Sequence, residues 1–303
     1  MRRLAAMAGA IGAIVGLAAP AQAIVIDDAA TAGYVTGTAA FTGVARIIYN
    51  DLEAGGGLSL CSGALLAGGM HVVTAGHCVD GGANWQVTFE TPGGTATLSV
   101  LSAVLHPLYA SRPAPLAHLN EYDVAILTLA GLAPVDAARY GIAGTLPPDG
   151  TPVDLVGYGL GGSPDGALAA GVRRHATNNI DAAVATYPNS AVPSPDLPLV
   201  MSTLFGGAGA GEGLISPGDS GGPALAGTDI VGIATTTTLL DVAGLDDGAF
   251  HYGTHANLTN AAIGDWLLGF IQVSAPRATV PFAAAAFFLL ALSRRRRPLR
   301  SLS

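Results

Sequence analysis

The run Ser216-Pro217-Gly218-Asp219-Ser220-Gly221-Gly222-Pro223 constrains this chain more than any other stretch. Ser220 stands among three glycines, with an acid directly before it and a proline soon after. Glycine reaches φ > 0 and lets another backbone come close. A serine so placed can be held at the tip of a tight turn, its own N–H and that of Gly218 aimed at one point. That would put a nucleophile beside a pocket for an oxyanion. The plain alternative is a Gly/Pro/Ser surface turn. What separates the two is whether the chain also supplies a base, and an acid to orient it.

Both are present upstream. Val72-Val73-Thr74-Ala75-Gly76-His77-Cys78 carries a histidine, and Asp123-Val124-Ala125-Ile126-Leu127 opens an apolar strand with an acid. The order His, Asp, Ser is one of three unrelated chain orders for the same catalytic geometry. Here the chain resembles the trypsin/chymotrypsin family of serine proteases. Thr74 to Cys78 is similar to that family's TAAHC block, with glycine for the second alanine. Asp123 to Leu127 is similar to its DIAL block, and Gly218 to Pro223 matches its GDSGGP block in full. Cys61-Ser62-Gly63-Ala64-Leu65-Leu66, Gly157-Tyr158-Gly159 and Val231-Gly232-Ile233-Ala234 resemble the flanking CSGTLI strand, G-W-G turn and post-nucleophile strand. Together these cover residues 24 to 270.

The resemblance implies an all-β fold: two six-stranded antiparallel β-barrels, the active site between them, and a closing C-terminal helix. It also implies roles. Ser220 attacks a carbonyl, His77 takes and returns the proton, and Asp123 fixes the His77 tautomer. The N–H groups of Gly218 and Ser220 form the oxyanion hole. Cys61 and Cys78 correspond to a pair the family bridges; two reduced buried thiols are the alternative, and export favours the bridge. The base of the pocket for the residue before the scissile bond falls on Leu214 and Ile215, with Ser216, Thr235 and Thr237 in its walls. No acid stands there, which removes the support for a buried cation. Thr237 replaces a frequent glycine and narrows the pocket, so the expected preference is a small or medium apolar side chain.

Composition agrees with a glycine-rich β protein. There are 42 glycines, 50% hydrophobic residues and only 11% charged ones, which favours short strands and loops over helices. All 13 basic residues are arginine; two precede the first apolar run and six follow residue 276. The body between carries five arginines against 21 acids, a formal charge of −16. Such a body repels nucleic acid. We expect no cofactor and no metal: His71, His106, His118, His175, His251 and His255 lack partners at metal-ligand spacing and read as structural or solvated. The expected partners are protein or peptide substrates, met by a monomer.

Residues 1–23 read as a secretory signal: Arg2-Arg3, an apolar run, then Ala21-Gln22-Ala23 as a cleavage site. Cleavage there frees Ile24-Val25. In the resembled family such a terminus inserts beside the acid before the nucleophile, here Asp219, so Ile24 and Asp219 form the expected activation pair. The protease domain spans 24–272, with lobes of about 24–135 and 136–272. The remainder, 273–303, holds an apolar segment (280–292) and the cluster Arg294-Arg295-Arg296-Arg297. Its layout resembles bacterial sorting tails of the PEP-CTERM type; a plain membrane anchor is the alternative. Both place the domain outside the cell or in its envelope.

Strands are expected over 41–49, 58–66, 71–75, 85–89, 95–105, 124–129, 153–156, 172–181 and 230–238, a polar, Gly-rich loop from the Gly157-Tyr158-Gly159 turn through Gly171, irregular chain over 182–213, and a helix over 256–271. Two other functions compete with a secreted endopeptidase. A silent surface-binding module on the same fold usually lacks a triad member, and this chain keeps all three. An esterase of the α/β-hydrolase kind needs a helix after its serine and the order Ser, acid, His, and neither is found.

Overall fold

The computed structural model describes residues 24–26, 37, 39–109, 122–163, 166–180, 182–183, 200–204, 213–240 and 250–271. In chain order the strands are β1 (Val25–Ile26), β2 (Val44–Asp51), β3 (Gly57–Leu65), β4 (His71–Thr74), β5 (Gly82–Thr91), β6 (Gly94–Leu105) and β7 (Ala125–Leu129). Then follow β8 (Gly141–Ile142), β9 (Pro152–Gly157), β10 (Gly161–Ser163), β11 (Gly166–Leu168), β12 (Arg174–Asn179), β13 (Ala182–Ala183) and β14 (Val200–Leu204). Last come β15 (Gly213–Leu214), β16 (Pro223–Ala226), β17 (Asp229–Leu240), β18 (Phe250–Asn257) and the helix α1 (Ala261–Ile271).

The first lobe is a closed barrel in the order β2-β3-β4-β7-β6-β5. Its strands alternate or run continuously apolar, as a closed sheet filled by side chains requires. Val44, Ile47, Val72, Val73, Val87, Phe89, Ile126 and Leu127, on the two faces of its strands, are fully buried in one core cluster. The second lobe is an eight-stranded sheet, with β12-β9-β16-β17-β18-β14-β13 in order and β8 paired to β17. It differs from the first in that no closure of this sheet is seen among the described residues. Its core gathers Val153, Leu155, Ile180, Ile215, Ala224, Val231 and Ala234 around Ile24.

A third, small sheet joins the chain's early segment to the second lobe. β1 lies between the hairpin β10–β11 and β15, Val25 pairing with Gly162 on one side and Leu214 on the other. The side chain of Ile24, just before β1, is completely buried. Burying an isoleucine stabilises by about 2 kcal/mol, so this docking is favourable without any charge.

Three expectations are corrected. The helix begins at Ala261 rather than at 256, because Ala256 and Asn257 pair with Ile233 and Gly232 as the end of β18. Asn260 starts the helix, its Oδ1 accepting from Ala262 N–H at 2.9 Å, a usual cap. The segment 182–213 is not wholly irregular, since Val200–Leu204 is a strand paired with β18 from Val200↔Ala256 to Leu204↔Tyr252. The Gly-rich stretch after Tyr158 folds as the hairpin β10–β11. The leader 1–23 and the tail 273–303, with its apolar segment and arginine cluster, lie outside the described residues. Among the described residues no helix is long and apolar enough to cross a membrane.

Candidate active site

The base sits on a single turn of 3-10 helix, Gly76–Cys78, which follows β4. Two bonds join it to the acid that precedes β7. His77 N–H donates to Asp123 Oδ1 at 2.8 Å, and the ring Nδ1 meets Asp123 Oδ2 at 2.7 Å. β4 and β7 are paired neighbours, Thr74 opposite Ala125, so the barrel ladder itself sets this distance. The Asp123 side chain is 7% exposed and that of His77 40%. Surrounding protein disfavours the imidazolium, but the Asp123 charge and hydrogen bond outweigh it, and the His77 pKa is raised. With Nδ1 on Asp123, the proton on that nitrogen leaves Nε2 as the basic atom.

The disulfide Cys61–Cys78 ties the residue after His77 to β3. Both sulfurs lie within 4.8 Å of a His77 ring nitrogen. They are bonded to each other, however, and offer no thiolate for a metal.

The nucleophile turn is held from three sides. Gly218 (φ 97°) and Gly221 (φ 83°) take a conformation that side chains rarely adopt. A Cβ on Gly221 would collide with Thr74 Oγ1 and Ser62 O, so this turn packs directly on the end of β4. Ser62, on β3, donates its N–H to Ser220 O at 2.8 Å and its hydroxyl to Gly218 O at 3.0 Å. The same hydroxyl accepts from Tyr158 N–H at 2.9 Å. Asp219 is buried behind the turn: Oδ2 accepts from Ile24 N at 2.9 Å and Ser216 N at 3.0 Å, and Oδ1 from Gly159 N at 2.8 Å. Burial pushes its carboxyl up to about 7 against these hydrogen bonds and the charge of Arg174.

Around Ser220 the backbone donors divide into two groups. Ser216, Asp219, Gly221 and Gly222 all donate within the protein. Gly218 N–H and Ser220 N–H donate to nothing among the described residues. These two are the donors expected to receive an oxyanion. No hydrogen bond joins Ser220 Oγ to His77 Nε2 among the described residues; such bonds are often long before substrate arrives.

The expected pocket residues are partly assembled. Leu214, Ile215 and Ser216 are buried in succession, with Ser216 Oγ unpaired. Thr235 turns its hydroxyl to Thr254 O at 3.1 Å. Thr237 stands opposite Gly253 on β18. Sequence reasoning missed Ser62 and Arg174. Ser62 had a signal in the Cys-Ser-Gly motif, whereas Arg174 had none, since its place near Asp219 depends on the fold.

A sequence profile described as "Trypsin" matches residues 44–243. The chain belongs to the trypsin family. It is accordingly a serine-type peptidase by family and fold. The solved structure of neuropsin, a serine protease expressed in the limbic system of mouse brain, superposes with a TM-score of 0.58. That match has 18% identity and covers 79% of this chain and 99% of that one, so it speaks to the fold alone. No curated protein gives a significant match.

Proposed function

We propose that this trypsin-family chain is an exported endopeptidase that cleaves peptide bonds through an acyl-enzyme on Ser220. The observation that carries the reading is the pair of N–H groups at Gly218 and Ser220, which have no acceptor among the described residues and belong to the turn that carries the nucleophile. His77 serves as general base toward Ser220 and as general acid toward the leaving amine. Asp123 holds its tautomer and stabilises the imidazolium. Each oxyanion donor lowers the barrier by about 3 kcal/mol.

Release of the leader after Ala23 turns the Ile24 nitrogen into an ammonium beside Asp219, and this is the activation step. The 2.9 Å approach of Ile24 N to Asp219 supports it. Leu214 and Ile215 are buried and apolar at the positions expected to form the pocket base, which favours a small or medium apolar residue before the scissile bond. The tail 273–303 anchors or sorts the protein at the cell envelope. Substrates are proteins or peptides, no cofactor takes part, and the working unit is a monomer.

The test is a fluorophosphonate probe on the exported protein, with the labelled residue mapped by mass spectrometry. Labelling at Ser220 that disappears in His77→Ala is the expected result. A folded, disulfide-bonded protein that stays unlabelled would leave a silent binding module on a protease fold. Efficient cleavage after Arg would refute the apolar pocket.

A further inference from the structure

The Asp123 carboxylate has room for about four hydrogen bonds, yet it accepts two, and both come from His77. Among the described residues no other group donates to it. Its pitch toward the base must therefore come from what packs against it. One neighbour is defined by Gly76, the position where this chain departs from the TAAHC pattern. Gly76 does not lie in the positive-φ region, so its backbone does not call for glycine. What calls for it is space. A Cβ there would stand 2.7 Å from Tyr109 Cδ2, 2.8 Å from Tyr109 Cε2 and 3.1 Å from Asp123 Oδ1. The tyrosine ring and the carboxylate share the volume that a methyl group would fill.

Tyr109 is itself fastened. Its N–H donates to His106 O at 2.8 Å, closing a turn over 106–109. Within that turn Leu108 N–H donates to His106 Nδ1 at 3.2 Å, leaving Nε2–H to donate to Ala262 O, in the first turn of α1, at 3.1 Å. His106 N–H donates to Val124 O, next to Asp123, and its ring stacks on Tyr122 at 5.0 Å. The turn is thus bound to both sequence neighbours of Asp123 and to the C-terminal helix. Burial and then the charges of Asp123 and Asp80 hold the Tyr109 hydroxyl above its usual range, so the ring is a neutral wall.

We propose that Tyr109 is a positioning residue for the Asp123–His77 pair: its ring, admitted by Gly76 and held on α1 through His106, closes the space beside the carboxylate and fixes its aim at His77. The inference rests on the peptidase reading above. With water kept from that side, the attraction between Asp123 and the imidazolium acts at low dielectric. If the ring is removed, water solvates the carboxylate, its hold on the imidazolium weakens, and the His77 pKa falls back.

Tyr109→Phe, Tyr109→Ala and Gly76→Ala are made in the full chain and assayed on one peptide substrate across pH. Tyr109→Phe keeps the ring and should stay within about twofold of the parent, whereas Tyr109→Ala should lose about tenfold or more in kcat with KM little changed, since small misplacements of catalytic groups are costly. The acid limb of its kcat/KM profile should move to lower pH, and Gly76→Ala should change in the same sense. A second readout is the low-field NMR resonance of the His77 Nδ1 proton in Ser220→Ala protein, which needs the pair but not a working nucleophile. It should persist in Tyr109→Phe and move upfield or vanish in Tyr109→Ala, even if the protein proves to be a silent relative. Should Tyr109→Ala not fold, Tyr109→Leu, which keeps apolar bulk without the flat wall, carries the same comparison. A variant lacking the ring that keeps the parent's kcat, acid limb and resonance would overturn the proposal. So would one that changes only in thermal stability.

Discussion

Asp219 makes the proposed cleavage before Ile24 testable as a change in stability. In the uncut chain the group at 2.9 Å from Oδ2 is a neutral amide, and burial pushes the carboxyl from 3.8 up to about 7. An acid with a raised folded pKa costs stability once the unfolded chain ionises. The cost starts near pH 3.8, grows as pH rises, and levels off above pH 7. A gap of about three pKa units amounts to about 4 kcal/mol at neutral pH, a large part of a domain's total. Cleavage replaces the amide with an ammonium ion, which favours the carboxylate and removes most of that cost. The assay is urea unfolding between pH 4 and pH 7.5, in the Ser220→Ala background to prevent self-cleavage. One protein begins at Ile24 and the other carries one added residue before it. The uncut form should fall behind the cut form by about 4 kcal/mol over this range, while the two agree near pH 4. Parallel stability curves would refute the argument, and with it the idea that the Ile24 terminus neutralises Asp219.

Four further outcomes are expected. Asp123→Asn should lower kcat by about 10⁴-fold through the wrong His77 tautomer, read on a peptide substrate, with the fold intact by circular dichroism. Replacing Cys61 and Cys78 by serine opens a link across 17 residues and should cost about 3 kcal/mol in urea unfolding; an unchanged midpoint would mean His77 is anchored by other contacts. His255 is fully buried with both ring nitrogens unpaired, and its pKa is pushed down to about 3. Its neutral form is favoured on folding, so stability is lost as pH falls below 6.5, by about 3 kcal/mol at pH 4.5; His255→Leu should flatten that acid limb. Gly221→Ala meets both the φ of 83° and a contact of 2.8 Å to Ala75 N; it should destabilise by about 2 kcal/mol or more and abolish probe labelling at Ser220.

The parts of the site that were legible in the sequence are those whose chemistry is local. The glycines around Ser220 announce a strained turn, and the apolar strand after Asp123 places the acid beside β4, where the ladder then delivers it to His77. Ile24 and Asp219 were paired by resemblance, although 195 residues separate them. What stayed hidden depends on distant partners. β14 reads as irregular chain because proline-rich sequence precedes it, and only pairing with β18 makes it a strand. The expected helix starts too early because the spacing of Ile263, Trp266, Leu267 and Phe270 marks a helical face but not its first residue, which pairing with β17 and the Asn260 cap decide. Tyr109 gave no signal, since its role follows from the missing methyl group on Gly76.

Ser62 belongs to the first lobe, yet its backbone and hydroxyl hold Ser220 and Gly218 of the second. The nucleophile turn is therefore shared property of two half-molecules. A fragment carrying only the second lobe would possess Ser220 but lack the template that shapes the turn around it. Conversely, a chain split between β8 and β9 and supplied as two pieces should regain probe labelling only on reassembly, with a rate that depends on the concentrations of both fragments. Such complementation would make the site a sensor of whether the lobes are joined.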